Sequence, residues 1–210
     1  MSIALAKIVS SESHILYQAR IYDKSESSTP PKRQHFSFGR FVVIESFDDE
    51  VLSDAKDEEL KEQNIGVIVN TRLINPEQGY FGPHLTIPHH DNALFAPDYL
   101  NEFGILISIL LLGELHQEHG VQGIPSQVIP VGSEVLTLDD EELLRFHFDE
   151  KKRFQLRYYP LLSEIGSGFS SSLLDRICGH LLPLCQPNER RLLSILRKNS
   201  AWQSTLGTLR

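Results

Sequence analysis

Ile65-Gly66-Val67-Ile68-Val69-Asn70 is the cleanest strand signal in the sequence. β-Branched residues dominate it, as a pleated and buried strand requires. Gly66 inside it predicts a bulge or a close backbone approach. Upstream, Ala4 to Ser10, His14 to Tyr22 and Phe38-Gly39-Arg40-Phe41-Val42-Val43-Ile44-Glu45 read as further strands. Downstream, Ile105 to Leu112 is an apolar run interrupted only by Ser108, a strand or helix buried on both faces. It is far shorter than the ~20 residues needed to span a bilayer. Val128 to Val135 reads as one more strand. Many short strands with turns between them predict a small barrel or sandwich.

Polar and turn-forming segments separate these strands. Lys24 to Gln34, with its serines and Pro30-Pro31, reads as an exposed loop. Asp48 to Gln63 is acidic, with a short helix over Ala55 to Glu62. It lacks the alternating ligands and fixed glycine of a calcium loop, so a solvated face is expected. Asn75 to Pro83 is turn chemistry, and Asp98 to Phe103 predicts one helical turn after Pro97.

From Leu138 the hydrophobic period changes to that of helices. Asp139 or Asp140 can cap a helix over Glu141 to Phe146. Leu173, Leu174, Ile177, Leu181 and Leu184 mark an apolar stripe within Ser170 to Cys185, which Pro183 should stop or kink. Pro187-Asn188-Glu189 opens a last helix with its stripe at Leu192, Leu193, Ile195, Leu196, Trp202 and Leu206. The expected fold class is α+β: a β-barrel domain over residues 1–137 with an irregular insertion, and a helical region over 138–210 that ends in a helical hairpin.

The 210 residues carry a net charge of -8, with 40% apolar and 23% charged side chains. This excludes a wholly disordered chain, a collagen-like repeat and a disulfide-stapled miniprotein. Cys178 and Cys185 read as reduced, buried residues, and their spacing of seven puts them on one helical stripe. Met1 to Lys7 lacks the apolar core of a signal peptide. The expectation is a cytoplasmic protein with no membrane partner.

No catalytic motif is present. There is no Gly-Lys dipeptide for a phosphate loop, no complete Gly-x-Gly-x-x-Gly and no Gly-x-Ser-x-Gly elbow. No cofactor and no catalytic residue are expected. Histidine supplies the candidate metal ligands: His84, His89 and His90 in the irregular middle, and His116 and His119 after the apolar run, where a spacing of three can share one helix face. The alternative for all five is a surface position in a loop. Lys151-Lys152-Arg153, Arg190-Arg191 and Arg197-Lys198 are the basic clusters, either solvated surface or a face for an acidic partner or nucleic acid. The acidic balance therefore belongs to the barrel portion, and it opposes a nucleic-acid partner for the chain as a whole. Trp202 lies near the end of the sequence, where it either packs back on the barrel or belongs to an interface.

The succession Lys7-Ile8-Val9-Ser10-Ser11, His14 to Ile21, Phe38 to Ile44, Ile65 to Asn70, Ile107 to Leu112 and Ile124 to Val135 resembles the HAS barrel, the small β-barrel at the N-termini of HerA-type DNA-pumping ATPases and of rotary ATP synthase subunits. The whole chain also looks like stand-alone cyanobacterial-type proteins with this barrel and a helical tail. The resemblance covers roughly residues 4 to 137 and implies an assembly or docking role, since the barrel in those families orients a motor and forms a collar. No motor is present here. Three functional classes follow. The first is a non-enzymatic module docking a protein partner or itself, with Trp202, Arg190, Arg191, Arg197 and Lys198 as candidate contacts. The second is a metal-dependent enzyme using the five histidines. The third is a nucleic-acid accessory protein using the basic tail.

Overall fold

The computed structural model describes residues 2–23, 26–27, 29–46, 62–74, 104–164 and 169–207; at 46, 62, 163–164 and 201–207 it describes the backbone alone. The strands are β1 (Ala4–Ser11), β2 (Leu16–Ile21), β3 (Phe41–Ser46), β4 (Glu62–Ile74), β5 (Gly104–Leu115), β6 (Gly120–Gln122) and β7 (Glu134–Thr137). The helices are α1 (Asp140–Phe146), α2 (Tyr159–Glu164), α3 (Ser170–Leu181) and α4 (Pro187–Gly207).

Six antiparallel strands in the order β2-β1-β7-β3-β4-β5 close into a barrel through the pairing of β2 with β5, from Leu16 opposite Leu110 to Arg20 opposite Leu106. The short β6 continues beyond β2 along the same edge of β5. The fold is thus α+β with a small β-barrel.

Strand alternation decides where the two cores lie. Tyr17, Ala19 and Ile21 of β2, Val42 and Ile44 of β3, and Ile107, Ile109 and Leu111 of β5 belong to one buried cluster, the barrel interior. Phe41 and Val43, Ile65 and Val67, and Leu110 and Leu112 point the other way. These join a second cluster with Leu143, Phe146, Tyr158, Leu174, Ile177, Leu181 and Leu193. The helical region therefore covers the outer face of β3, β4 and β5. This is why Ile105 to Leu112 carries no polar alternation: β5 is buried on both sides, as its sequence predicts.

Gly66 has both properties expected of it. The β4–β5 register shifts between Ile65 and Gly66, and a Cβ at Gly66 would collide with Ile109. Gly39 sits in the left-handed region at φ +78°, and a Cβ there would lie 2.6 Å from Cβ of Arg176 on α3. Gly39→Ala is expected to destabilise the chain by about 1–3 kcal/mol through overpacking and backbone strain. The midpoint of chemical denaturation checks this, and an unchanged midpoint would refute the close approach of α3.

Several elements differ from expectation. The strand expected over Val128 to Val135 begins only at Glu134. Pro130 has no N–H to donate, and Val131-Gly132 form a turn whose Gly132 N–H bonds to Ile8 O. At the end of the loop expected over Lys24 to Gln34, Arg33–Phe36 forms a 3-10 turn that buries Phe36. α3 ends at Leu181, two residues ahead of Pro183, so Cys185 lies beyond the helix rather than on its stripe. α1 is capped by Asp139, whose carboxylate accepts from the N–H groups of Glu141 and Glu142. The helix expected over Ala55 to Glu62 lies outside the described residues except for Glu62, which begins β4. The helical turn expected over Asp98 to Phe103 also lies outside them.

Candidate functional site

His147 and Tyr158 form a buried polar pair between α1 and the barrel. Both are wholly inaccessible to solvent. The His147 ring lies with Nδ1 2.7 Å from Leu143 O and Nε2 2.8 Å from Tyr158 Oη. A carbonyl only accepts, so Nδ1 carries the proton, Nε2 is an acceptor and the Tyr158 hydroxyl donates to it. Burial pushes the imidazole down to about 4, so it stays neutral. Burial likewise pushes the Tyr158 hydroxyl well above its usual range. The rings of Phe41, Phe146 and Phe154 surround His147 at centroid distances of 5.6, 5.3 and 5.9 Å. A neutral pair sealed in aromatic rings holds structure together; it is not exposed to a substrate.

Beside it, two buried glutamines fasten β6 to the segment after α1. Gln122 Nε2 donates to Phe146 O and Gln155 O, its Oε1 accepts from Arg157 N, and Gln155 Nε2 donates to Gly120 O. Over this clamp lies an open cavity of about 220 Å³ lined by His119, Gln122, Asp149, Lys151, Arg153 and Arg157, among others. Its charges are of both signs. Arg153 donates two hydrogen bonds to Asp149 Oδ2 and so holds that carboxyl down at about 2. His119 lies 3.6 Å from Glu150. The cavity therefore lacks the single-signed field that would hold a phosphate or a metal ion.

The candidate residues divide by position. His84, His89 and His90 lie outside the described residues. His116 and His119 lie on the turn between β5 and β6, not on a helix, with their rings stacked at 5.3 Å. His116 is 3.8 Å from Glu114. Among the described residues, no three His, Cys, Asp or Glu side chains are placed to hold a metal ion. Of the basic candidates, Arg190 donates to Cys185 O and Pro183 O, tying α4 to the link behind α3. Arg197 bonds Asp175 of α3 at 2.5 Å. Arg197 thus joins α4 to α3 and Arg190 fixes the link ahead of α4, whereas Arg191 and Lys198 are exposed. The side chain of Trp202 lies outside the described residues. Cys178 and Cys185 are free and buried, and burial pushes both thiols up to about 11, so neither is a ready nucleophile.

Three exposed apolar side chains carry no sequence motif. Ile124, Val128 and Val131 are 59%, 68% and 74% exposed on the segment that connects β6 to β7. That segment is fixed from beneath. Ile129 is buried and its N–H donates to the Tyr17 hydroxyl at 3.1 Å. A ring nitrogen of His14 lies 2.7 Å from Pro125 O, and Ile8 exchanges backbone bonds with Gly132 and Ser133. The segment thus presents apolar side chains on an ordered backbone. Exposed apolar side chains on a fixed backbone suit contact with a protein better than chemistry. Among the described residues, no helix is long and apolar enough to cross a membrane. A family described as a domain of unknown function, DUF8166, matches residues 1–210. No curated protein matches the chain.

Proposed function

From the premise that the chain belongs to the DUF8166 family over its whole length, we propose that it is a non-enzymatic docking module built on a small HAS-like barrel, with a helical hairpin packed on one side. One observation carries this: three apolar side chains, Ile124, Val128 and Val131, stand exposed on a segment anchored by Tyr17, His14 and Ile8. An ordered backbone lowers the entropy lost on binding, which favours recognition by a preformed surface. The chemistry-bearing residues support the same conclusion, because His147, Tyr158, Arg153, Arg190 and Arg197 are engaged in internal contacts. The partner class is a protein, and the resemblance to barrels that collar DNA-translocating ATPases makes such a motor or its nuclease companion the first to test. Two free, buried cysteines support a reducing, cytoplasmic setting.

The test is capture of the motor ATPase from the source cell by the purified chain, with Val128→Glu and Val131→Glu combined as the control. Both positions are exposed, so the double variant should keep its circular dichroism spectrum and lose the partner. Equal capture by the two proteins, or none by either, would overturn the docking role of this segment.

A further inference from the structure

We propose that Arg40, Arg176 and His180 form a binding site for a dianionic oxyanion of the phosphate monoester class. Phe169, the N-cap residue of α3, and Leu173, Arg176 and His180 recur at spacings of four, three and four, so they share one helix face. That face lies over the segment that enters β3. Phe169 meets Phe38 with ring centroids 6.4 Å apart. A Cβ at Gly39 would lie 2.6 Å from Arg176 Cβ and 3.8 Å from Leu173 Cδ1. His180 is one turn past Arg176, and its ring faces the Gly39 carbonyl and the Arg40 guanidinium. The entering segment is fixed: Gly39 N–H donates to Ile68 O, Ile68 N–H donates to Arg40 O, and Arg40 N–H donates to Ser37 O. Two guanidiniums and an imidazole therefore converge from two ordered elements.

Charge balance names the ligand. Arg20, Arg153 and Arg197 are ion-paired, and Arg145 and Arg190 donate to carbonyls. The side chains of Arg40 and Arg176 have neither kind of partner among the described residues. Arg40 and His180 are half-buried, where water compensates a lone cation less well than at an open surface. Asp140, at the start of α1, is the one carboxylate set against this group. Two guanidiniums against one carboxylate leave an excess of positive charge, and a protonated His180 doubles it. A monoester dianion balances that doubled excess. It also offers three oxygens to two planar guanidinium forks and a ring N–H.

The imidazole couples this site to pH. Burial, then Arg40 and Arg176, hold His180 below its ordinary value, so without an anion it is neutral at pH 7. The Gly39 carbonyl and Asp140 act in the opposite direction, and both are outweighed. An anion between the guanidiniums cancels their effect and favours the imidazolium. Binding and protonation assist each other, so the dianion binds more tightly as pH falls through the imidazole range.

The test is NMR of the full chain with the histidine rings assigned, titrated with sulfate at constant ionic strength. Sulfate is the probe because it stays dianionic across the imidazole range, whereas phosphate titrates within it. The expected results are a saturable shift at His180, a raised His180 pKa with sulfate bound, and tighter binding at lower pH. His147, sealed in the core, should not respond. Arg176→Gln alters an exposed side chain, so it should keep the fold and weaken sulfate about tenfold, the loss of a charge-assisted hydrogen bond. His180→Gln should still bind sulfate but without the pH dependence. O-Phosphoserine should compete with sulfate. An effect that chloride reproduces equally, or unchanged sulfate binding by Arg176→Gln, would overturn the site. A single-stranded oligonucleotide that binds more tightly per phosphate than phosphoserine would overturn the monoester class. These residues are separate from the segment between β6 and β7, so loss of sulfate binding leaves capture of the motor intact, and the converse also holds.

Discussion

Phe146→Ala is expected to destabilise the chain by about 3–5 kcal/mol, the cost of emptying a large buried aromatic site. Phe146 is wholly inaccessible, stacks with Tyr158 at 6.3 Å between ring centroids and meets His147 edge-on at 5.3 Å. The cavity has little chance to collapse. Phe146 O accepts from Gln122, and a Cβ at Gly120 would collide with the Phe146 backbone, so α1 and β6 already touch. The expected loss extends beyond α1, because Phe146 shares one cluster with Ile65 and Val67 of β4 and with Leu110 and Leu112 of β5. Far-UV circular dichroism, dominated by backbone, and near-UV signals from the aromatic rings should report one common transition, displaced as a unit. A loss below about 1 kcal/mol, or a strand transition left in place while the aromatic one moves, would refute a core shared between barrel and helices.

That shared core also explains which parts of the fold were legible. β3 and β4 announce themselves through Phe41-Val42-Val43-Ile44 and Ile65 to Val69, where burial and propensity agree. β5 is legible as buried on both sides because Ile105 to Leu112 spares almost no position for a polar residue. β6 is not legible. Gly120-Val121-Gln122 is three residues that begin on a glycine and end before another, too short to read as a strand, and is held by pairing to β5 and by the side chains of Gln122 and Gln155. α2 hides behind Pro160, which breaks helices in their interior but is tolerated here in the first turn. The same division holds for the candidate site. The loop position of His116 and His119 is legible from the polar stretch His116 to Gly120, whereas the stacking of their rings comes from the turn itself, where His116 N–H donates to His119 O. The bond from Arg197 to Asp175 is not legible, since it depends on how α4 lies against α3. The exposure of Val128 and Val131 is not legible, because the sequence reads as strand there and the anchors that shape the segment, Tyr17 and His14, are more than a hundred positions away.

Acidification from about pH 7 to about pH 4 is expected to remove about 3 kcal/mol of stability through His147. The folded imidazole stays neutral down to about 4, against an ordinary value of 6.5 in the unfolded chain. Between these two values the unfolded chain takes up a proton that the folded chain refuses. Falling pH therefore favours unfolding across this window. The contribution is complete above about 6.5, declines as pH falls and levels off below about 4. His180 adds to the same slope with the same sign, because burial, Arg40 and Arg176 lower it. Asp149 acts at lower pH, since Arg153 holds its carboxyl down at about 2. Chemical denaturation at a series of pH values measures the slope directly. His147→Gln removes the titrating group and should flatten most of it. That variant is also less stable at neutral pH, because the buried Tyr158 hydroxyl loses its acceptor. The slope, not the absolute stability, is therefore the readout. If His147→Gln keeps the full wild-type slope, or if the wild type shows none, then the pair between His147 and Tyr158 is not the neutral, sealed contact that joins α1 to the barrel.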